Sequence, residues 1–461
     1  MATANPWIND RTVALFTDLY ELTMCQAYFV ERMFEPATFS LFVRRLPESR
    51  NVLLACGLDD VLSYLENLTF EPESLDHLAS LGQFHDEFLT WLGNLRFSGD
   101  VWAVPEGTPV FANEPILEVT APIAEAQLAE TFIMNQVHLQ TTLASKAVRV
   151  VTAARGRAVV DFGPRRMHGT DAAVKAARAF YIAGVAATSN VFASKVYGVS
   201  ASGTMAHSFV EAWDEEIDAF RSFARLYPGT VLLIDTYDTL QGVEKVCQLA
   251  RELGSAFNVR AVRLDSGDLI ELAFEVRARL DRAGLEHVAI FASSSLDEWI
   301  IDEIVTRDAP ITGFGVGTKM GVSEDAPSLD IAYKLCAYAG KGRLKTSTGK
   351  PVLPGRKQVF RQEREGRAVG DVIARADERC AGRPLLELVM ERGARTASGR
   401  ADLDQARERA AGEMSRLPDA VGALRPAEPP YPVTVSDALR RYQDEVKDRI
   451  FAKEGTRYEA S

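Results

Sequence analysis

Two aspartates directly follow short apolar runs, in the motifs LIDTYD and VRLDSGD. Carboxylates at these positions, Asp235 and Asp265, can accept hydrogen bonds from sugar hydroxyls or bind a divalent ion. The second aspartate of each motif, Asp238 or Asp268, is equally well explained as the N-cap of a following helix. The sequence therefore predicts sugar or metal binding at Asp235 and Asp265, and helix capping at the other two positions.

One histidine, His207, lies among small residues in the stretch SGTMAHS. A lone histidine is more often structural than catalytic. Small neighbours would nevertheless leave its ring accessible as a nucleophile or a base. From the residues alone, both interpretations stay open.

Arginines and glycines in three other segments indicate anion binding. In DFGPRR, Arg165 can bind a carboxylate or phosphate through two parallel hydrogen bonds, although an exposed turn explains it equally well. The strings SSS and GFGVGT favour a phosphate cradle of backbone N–H groups over a plain loop. GFGVGT does not open a dinucleotide fingerprint, because it comes late and no βαβ unit with an acidic strand end follows it. The candidate phosphate-binding residues are Ser293, Ser294, Gly315, Gly317 and Thr318.

Short apolar strands alternate with helical segments from Ala158 onward. The predicted strands are 159–162, 232–235, 261–265, 289–292 and 311–314, and the predicted helices 242–252, 270–283 and 297–306. Such alternation is typical of parallel strands joined by crossovers, with ligands bound at the carboxyl ends of the strands. Because fewer than eight strands are recognised, we expect an irregular, incomplete α/β barrel. Its polar strand ends would bind phosphate, a polyhydroxylated group and a small anion in one pocket.

The segments on either side of this barrel have different patterns. A helix over 15–32 with Thr17 as N-cap, a strand over 38–43, hairpins over 97–119 and a long helical run over 124–154 are expected first. After about Arg367 the chain becomes helical and charged, with a proline-rich linker over 426–432 and a final helix over 435–449. We therefore divide the chain into an N-terminal β-rich α+β domain (1–155), a barrel (156–365) and a helical C-terminal extension (366–461).

Composition excludes several classes of protein. The chain has 461 residues, 47% of them hydrophobic and 25% charged, which is typical of globular domains and not of disordered ones. Its net charge of −12 argues against sequence-independent binding to nucleic acid or anionic membranes. Neither a secretory signal nor a membrane span is recognised, so a cytoplasmic location is expected.

The cysteines and histidines provide no metal site by spacing. The five cysteines are scattered without a CxxC pair, and the six histidines lack HExxH spacing. The cysteines are interpreted as small buried hydrophobes in a reducing compartment. Any metal is expected to arrive with a phosphorylated substrate.

Several motifs, in their order along the chain, resemble those of the nicotinate phosphoribosyltransferase family. They are FTDLYELTM, DFGPRR, ATSNV, GTMAHSF, LIDTYD, VRLDSGD and GFGVGT, together with PGRKQVF in the later run 345–361. The resemblance covers about residues 12–365, whereas the last hundred residues match weakly.

This resemblance implies a type II phosphoribosyltransferase, assembled as a homodimer. Members of the family join nicotinate to phosphoribosyl pyrophosphate, giving nicotinate mononucleotide and pyrophosphate. ATP hydrolysis is coupled through a phosphohistidine, with Mg²⁺ accompanying the phosphorylated substrates and no tightly bound organic cofactor. The pathway implied is NAD biosynthesis by salvage.

The resemblance also assigns roles to individual residues. His207 matches the phosphorylated histidine, and Tyr20 of a partner chain and Phe162 would sandwich the pyridine ring. The residues expected near nicotinate are Arg165, Ser189, Thr204 and Arg263, and Thr318 is expected to contact phosphate. Departure of pyrophosphate leaves positive charge on the ribose C1, which Asp235 and Asp265 would stabilise electrostatically. His207 would need an orienting hydrogen bond, whose partner the sequence does not identify.

Two departures from the family pattern bear on specificity. Ser293–Ser295 carries no glycine where related enzymes often do. Ser189 fills the position where nicotinamide-specific enzymes carry an aspartate, and a carboxylate there would repel a carboxylate substrate, so Ser189 favours nicotinate. The alternatives are a nicotinamide or quinolinate phosphoribosyltransferase, or a non-catalytic nucleotide-binding barrel.

Overall fold

The computed structural model describes residues 8–346, 352–400 and 402–454. Residues 347–351 of the family-like run 345–361 lie outside the described residues, as do the two ends of the chain. The described helices are α1 (Leu19–Val30), α2 (Leu58–Asn67), α3 (Pro72–Ser80), α4 (Asp86–Asn94), α5 (Ile123–Leu128), α6 (Glu130–Ala154), α7 (Thr170–Ile182), α8 (Val191–Tyr197), α9 (His207–Glu211), α10 (Glu216–Leu226), α11 (Thr239–Leu253), α12 (Leu269–Arg282), α13 (Glu298–Thr306), α14 (Thr318–Gly321), α15 (Leu403–Arg416), α16 (Asp419–Gly422) and α17 (Asp437–Glu454).

The strands divide among several sheets. In chain order they are β1 (Pro36–Val43), β2 (Leu53–Leu54), β3 (Asp100–Ala103), β4 (Pro109–Val110), β5 (Pro115–Pro122), β6 (Ala158–Asp161), β7 (Ala187–Thr188), β8 (Thr230–Leu233), β9 (Val259–Leu264), β10 (Ala289–Ala292), β11 (Gly313–Val316), β12 (Ile331–Tyr338), β13 (Lys341–Gly342), β14 (Lys357–Arg364), β15 (Arg367–Arg375), β16 (Arg383–Pro384), β17 (Glu387–Glu391), β18 (Ala394–Arg395) and β19 (Val433–Val435).

Two compact units make up the chain, one of 1–142 with 328–461 and one of 143–327. This division differs from the boundaries expected at 155 and 365. The first break falls inside α6, and residue 365 lies in the turn of the β14–β15 hairpin, where antiparallel pairing joins the two sides. The C-terminal segment is therefore continuous with the first unit.

The first unit is built on an antiparallel sheet whose described strands are ordered β13-β12-β1-β5-β3-β17-β18. β1 confirms the strand expected over 38–43. Over 97–119, β3 and β5 form one antiparallel pair, whereas β4 pairs with β2 and not with its neighbours in the chain. The first helix is shorter than predicted, and its N-cap position is Asp18 rather than Thr17, without a capping hydrogen bond from the side chain. The expected helical extension is helical at α15 and α17, whereas β15 and β17 are strands that pair with β14 and β3.

The second unit is built on a parallel sheet whose described strands are ordered β7-β6-β11-β10-β9-β8. Every residue of β11 is buried, as expected of a strand covered on both faces. Helices α11, α12 and α13 follow β8, β9 and β10, which confirms the predicted alternation. The two-residue strand β7 was not predicted, because so short a run carries no period. The sheet is curled into an open half-barrel, as the fold class predicts.

Among the described residues, no helix combines the length and the apolar character needed to cross a membrane.

Candidate active site

The carboxyl ends of β8 and β9 bring two of the predicted aspartates together. The Asp235 carboxylate accepts hydrogen bonds through Oδ2 from the Asp265 backbone N–H (3.0 Å) and the Ser266 hydroxyl (2.5 Å). Its Oδ1 is buried and has no hydrogen-bond partner among the described residues. A buried carboxylate oxygen without a donor is costly unless a ligand completes its coordination, so this atom marks a binding position.

The carboxylate of Asp265 lies between Ser293 and His207 in the second unit. Its Oδ1 accepts a short hydrogen bond from the hydroxyl of Ser293, which follows β10 and is buried. Its Oδ2 lies 3.6 Å from Nε2 of His207. The carboxylate is therefore held by one neighbour on one side and faces an imidazole on the other.

His207 is the first residue of α9, and its side chain is 40% exposed. Its Nδ1 lies 3.2 Å from the hydroxyl of Thr236, which supplies the orienting partner that the sequence left unassigned. The imidazole is therefore positioned through Nδ1 and partly exposed to solvent, unlike a histidine buried in the core. The accessible interpretation of His207 therefore holds, with Nε2 turned toward Asp265.

Asp238 and Asp268 act as helix caps, as predicted. Asp238 accepts a hydrogen bond from the Gln241 backbone and begins α11. Asp268 accepts bonds from the backbone of Ile270 and Glu271 and begins α12. The second aspartate of each motif is thus engaged in capping, and the first remains available for chemistry.

Arg263 and Phe162 meet although their strands are not adjacent. β9 and β6 stand three places apart, which is about 14 Å in a flat sheet. The Arg263 guanidinium nevertheless lies 5.8 Å from the Phe162 ring centroid and donates to the Met205 carbonyl (2.9 Å). The curl of the sheet and the length of the arginine together produce this contact, so the strand ends surround one concave region.

The charge of Arg263 depends on its neighbours. Burial lowers the pKa of this guanidinium, Asp265 and Asp235 oppose that shift, and Arg165 adds to it. Its Nε is buried without a hydrogen-bond partner among the described residues. Arg263 thus has a buried N–H donor that no described residue accepts, close to the two carboxylates that favour its positive charge. Such a donor is suited to binding an anionic ligand.

The ring of Phe162 packs against Gly315. The Phe162 backbone N–H donates to the Val316 carbonyl (2.9 Å), and the ring lies 5.9 Å from that of Phe291. A Cβ atom at Gly315 would lie 2.5 Å from two atoms of the Phe162 ring. Gly315, predicted as a phosphate contact, therefore has a demonstrable second role, because its missing side chain makes room for the aromatic ring.

Asp161 was not among the predicted site residues, yet it organises the loops after β6 and β7. Its carboxylate accepts hydrogen bonds from the Gly163 backbone and the Thr188 hydroxyl, both at 2.8 Å. Burial raises its pKa, and these two bonds oppose the rise. The signal that could have found it is the one used for Asp235, an acidic residue at the end of a buried apolar strand.

Ser189 and Thr204 lie in the loops beside this network. The Ser189 backbone donates to the Asp161 carbonyl (2.8 Å), and its hydroxyl is buried without a partner among the described residues. The Thr204 hydroxyl donates to the Met205 carbonyl (3.1 Å), the atom that Arg263 also contacts. Arg165 is exposed and donates to the Phe162 carbonyl (3.3 Å).

The predicted phosphate segments follow β10 and β11. Ser294 and Ser295 have φ of 88° and 45°, an unusual pair for residues with side chains. Gly317 and Thr318 join β11 to α14. A hydrogen-bonded ion pair of Lys319 Nζ and Asp297 Oδ2 (2.7 Å) connects the two loops.

Tyr20 belongs to the first unit, where it lies in the first turn of α1 with 46% of its surface exposed. Its role in the sequence-based prediction depends on a second copy of the chain.

No group of three or more His, Cys, Asp or Glu side chains suited to a metal occurs within the described ranges. An ion bound through Asp235 and Asp265 would therefore take most of its ligands from substrate or water.

Comparison with known protein families identifies the family of the chain. A family described as the nicotinate phosphoribosyltransferase (NAPRTase) N-terminal domain matches residues 15–138, and the nicotinate phosphoribosyltransferase (NAPRTase) family matches residues 157–372. This chain belongs to the nicotinate phosphoribosyltransferase family. The second match contains all the candidate site residues except Tyr20, which falls in the first.

Relatives of this nicotinate phosphoribosyltransferase family member span nearly its whole length. Nicotinate phosphoribosyltransferase pncB2 of Mycobacterium tuberculosis is 56% identical, covering 94% of this chain and 93% of that protein. The Bacillus subtilis nicotinate phosphoribosyltransferase is 39% identical, covering 80% and 77%. The crystal structure of human nicotinic acid phosphoribosyltransferase superposes with a TM-score of 0.82 at 27% identity, covering 93% of this chain and 99% of that chain.

Proposed function

We propose that this enzyme transfers the phosphoribosyl group of 5-phosphoribosyl 1-pyrophosphate to nicotinate, giving nicotinate mononucleotide and pyrophosphate for NAD biosynthesis by salvage. The observation that carries the proposal is the convergence of Asp235, Asp265, His207, Arg263 and Phe162 at one edge of the parallel sheet. The names of the relatives support the choice of substrate.

In the proposed reaction the bond from ribose C1 to pyrophosphate oxygen breaks and a bond from C1 to the pyridine nitrogen forms. Positive charge grows on C1, and the carboxylates of Asp235 and Asp265 stabilise it. The unpartnered Oδ1 of Asp235 accepts from a ribose hydroxyl or binds the Mg²⁺ that arrives with the diphosphate. When bound there, Mg²⁺ would supply positive charge that offsets the negative charge of the pyrophosphate.

Nicotinate is bound at the other end of the site. Its ring packs on Phe162, with Tyr20 of a second chain on the opposite face in a homodimer. Its carboxylate is bound by Arg263 and Arg165. Thr204 lies beside Met205, whose carbonyl Arg263 contacts. Ser189 places an uncharged hydroxyl where a carboxylate would repel the substrate. This difference favours nicotinate over nicotinamide.

The test is direct incubation of the protein with 5-phosphoribosyl 1-pyrophosphate, ATP and Mg²⁺ together with nicotinate, nicotinamide or quinolinate. Nicotinate mononucleotide should form from nicotinate at a rate at least tenfold above that of either other pyridine. Absence of product from all three, with ligand binding retained, would support a non-catalytic nucleotide-binding barrel instead.

We further propose that His207 couples ATP hydrolysis to this transfer. With the proton on Nδ1 directed at Thr236, the Nε2 lone pair attacks the γ-phosphorus of ATP, and the bond to the ADP oxygen breaks. Water later hydrolyses the phosphoramidate to phosphate. Asp265, 3.6 Å from Nε2, stabilises the cationic ring.

Replacing His207 with alanine should abolish stimulation by ATP while sparing slow uncoupled transfer. The reason is that the variant loses the phosphoryl acceptor and keeps both aspartates. The measurement is product formation with and without ATP, together with acid-labile phosphate on the protein. His287→Ala, at an exposed histidine of the same unit, is the control. Equal ATP stimulation in the His207 variant and the wild type would contradict this role.

Replacing Gly315 with alanine should raise the nicotinate KM about fivefold, since the new methyl group displaces the Phe162 ring and an aromatic contact is worth about 1 kcal/mol. The KM for ATP should change much less. Gly412→Ala, where a Cβ meets no described atom within 4 Å, controls for the substitution itself. An unchanged nicotinate KM would remove Phe162 from the pyridine site.

A further inference from the structure

A chain of hydrogen bonds holds the first turn of α1 against the start of α6. Glu21 is fully buried there, and the Thr17 hydroxyl donates to its Oε2. Thr131 approaches the other oxygen, Oε1, twice, with its backbone N–H at 3.1 Å and its hydroxyl oxygen at 2.7 Å. The same hydroxyl oxygen lies 2.7 Å from Oδ2 of Asp18 and accepts the Asp18 backbone N–H at 3.3 Å.

The protons in this chain can be counted. The Thr131 hydroxyl has one hydrogen and lies at hydrogen-bond distance from two carboxyl oxygens. If Asp18 and Glu21 were both ionised, one of these contacts would place an acceptor against an acceptor. If Glu21 is protonated, its O–H donates to Thr131, whose hydroxyl donates to Asp18, and every contact is satisfied. The distances therefore favour one proton bound by the two carboxyls, and the complete burial of Glu21 favours that residue as its site, because a buried carboxyl is more costly to ionise.

The surroundings of Glu21 support the same assignment. Burial raises its pKa from a usual 4.5 to about 7, the bonds from Thr131 and Thr17 oppose the rise, and Glu130 adds to it. The titratable groups that face it or share its cluster are Asp18, Tyr20 and Cys25 beside or on α1, Glu130 on α6, Tyr64 on α2, and Tyr333 on β12. Lys334 lies 3.5 Å from Glu130, and its ion pair is with Glu130 and not with Glu21.

We infer that Glu21 is a positioning residue whose protonated carboxyl fixes the turn bearing Tyr20, and that loss of this proton at mildly alkaline pH loosens that turn. Tyr20 is adjacent to Glu21 in the first turn of α1. The inference rests on the proposed function, in which Tyr20 covers the nicotinate ring of a second chain. The enzyme would then bind nicotinate less well as pH rises.

The first experiment measures the nicotinate KM from pH 6 to 8.5. In the wild type, KM should rise about three- to tenfold around pH 7, with a smaller change in kcat. Glu21→Gln carries no titratable group, so its KM should be flat with pH whatever its absolute level. Glu125→Gln, at another partly buried carboxyl that accepts bonds from Ser98, should keep the wild-type profile. Titration of the substrates is common to all three proteins and cancels in the comparison.

The second experiment needs no substrate. Because the folded protein raises the pKa of Glu21, the stability due to this carboxyl is present below about pH 4.5 and is lost as pH rises toward 7. The melting temperature of the wild type relative to Glu21→Gln should therefore fall across that window and level off above it. Protection of the backbone amides of 17–22 against hydrogen exchange, taken relative to the intrinsic exchange rate at each pH, should fall over the same range in the wild type and stay constant in Glu21→Gln.

These two readouts separate the inference from the proposed function. A KM step that persists in Glu21→Gln, or a melting-temperature difference that does not change with pH, would overturn the role of Glu21. If the protein turned over no nicotinate, the melting and exchange measurements would still decide whether Glu21 holds a proton.

Discussion

Replacing Asp265 with asparagine is expected to lower kcat about 10²- to 10³-fold, the usual cost of removing a group aimed at transition-state charge. Asparagine keeps the size of the side chain and its contact with Ser293, so the loss would come from the negative charge. That charge faces C1 of the ribose in the proposed reaction and lies 3.6 Å from the His207 imidazole. Steady-state kinetics with saturating nicotinate and ATP measure the effect.

The matched control is three residues away. Asp268→Asn retains a good N-cap for α12, because asparagine caps helices as well as aspartate does. Its kcat should stay within about twofold of the wild type. If both variants lost activity equally, the effect would be one of local structure and the electrostatic role of Asp265 would fail.

Replacing Arg361 with alanine is expected to destabilise the protein by about 3–5 kcal/mol, the range for breaking a buried ion pair. The guanidinium is 1% exposed and binds both carboxylate oxygens of Asp371, at 3.1 and 2.7 Å. It also donates to the Pro109 carbonyl (2.9 Å) and to Glu413 (3.3 Å). The alanine variant would leave the Asp371 carboxylate and the Pro109 carbonyl buried without this cation, whereas Glu413 would keep its ion pair with Arg383.

Urea unfolding followed by tryptophan fluorescence checks this value. Arg367→Ala is the control, since its ion pair with Asp419 is exposed and such pairs contribute about 1 kcal/mol or less. If both variants lost a similar free energy of unfolding, the buried ion pair of Arg361 would contribute no more to stability than an exposed one. The experiment also tests the C-terminal segment, because Glu413 and Tyr431 join this cluster from beyond residue 400.

The parts of the site that could be predicted are those carried by local order in the chain. An apolar run followed by a polar residue indicates a strand end, which identified Asp235 and Asp265 and separated them from the capping Asp238 and Asp268. Parallel strands align their carboxyl ends at one edge, so the approximate meeting of these residues also followed. Asp161 meets the same criterion, since it too ends a buried apolar strand.

What could not be predicted depends on distances between segments remote in sequence. Thr236 orients His207 across 29 residues, and Glu21 and Thr131 meet across 110. The pairing of β17 with β3 places the end of the chain in the first unit, although composition favoured a separate helical extension.

The amino-acid sequence by itself determined the alternating strands and helices, the residues at their ends and the family to which the chain belongs. These properties depend on short-range periodicity and on motifs read in order. The tertiary structure alone decided that Arg263 lies over Phe162, that Gly315 makes room for that ring, and that Glu21 is buried against Thr131 in the turn that carries Tyr20. The reason is physical: curling of a sheet and burial of a carboxyl arise from packing over the whole unit, which no local pattern encodes.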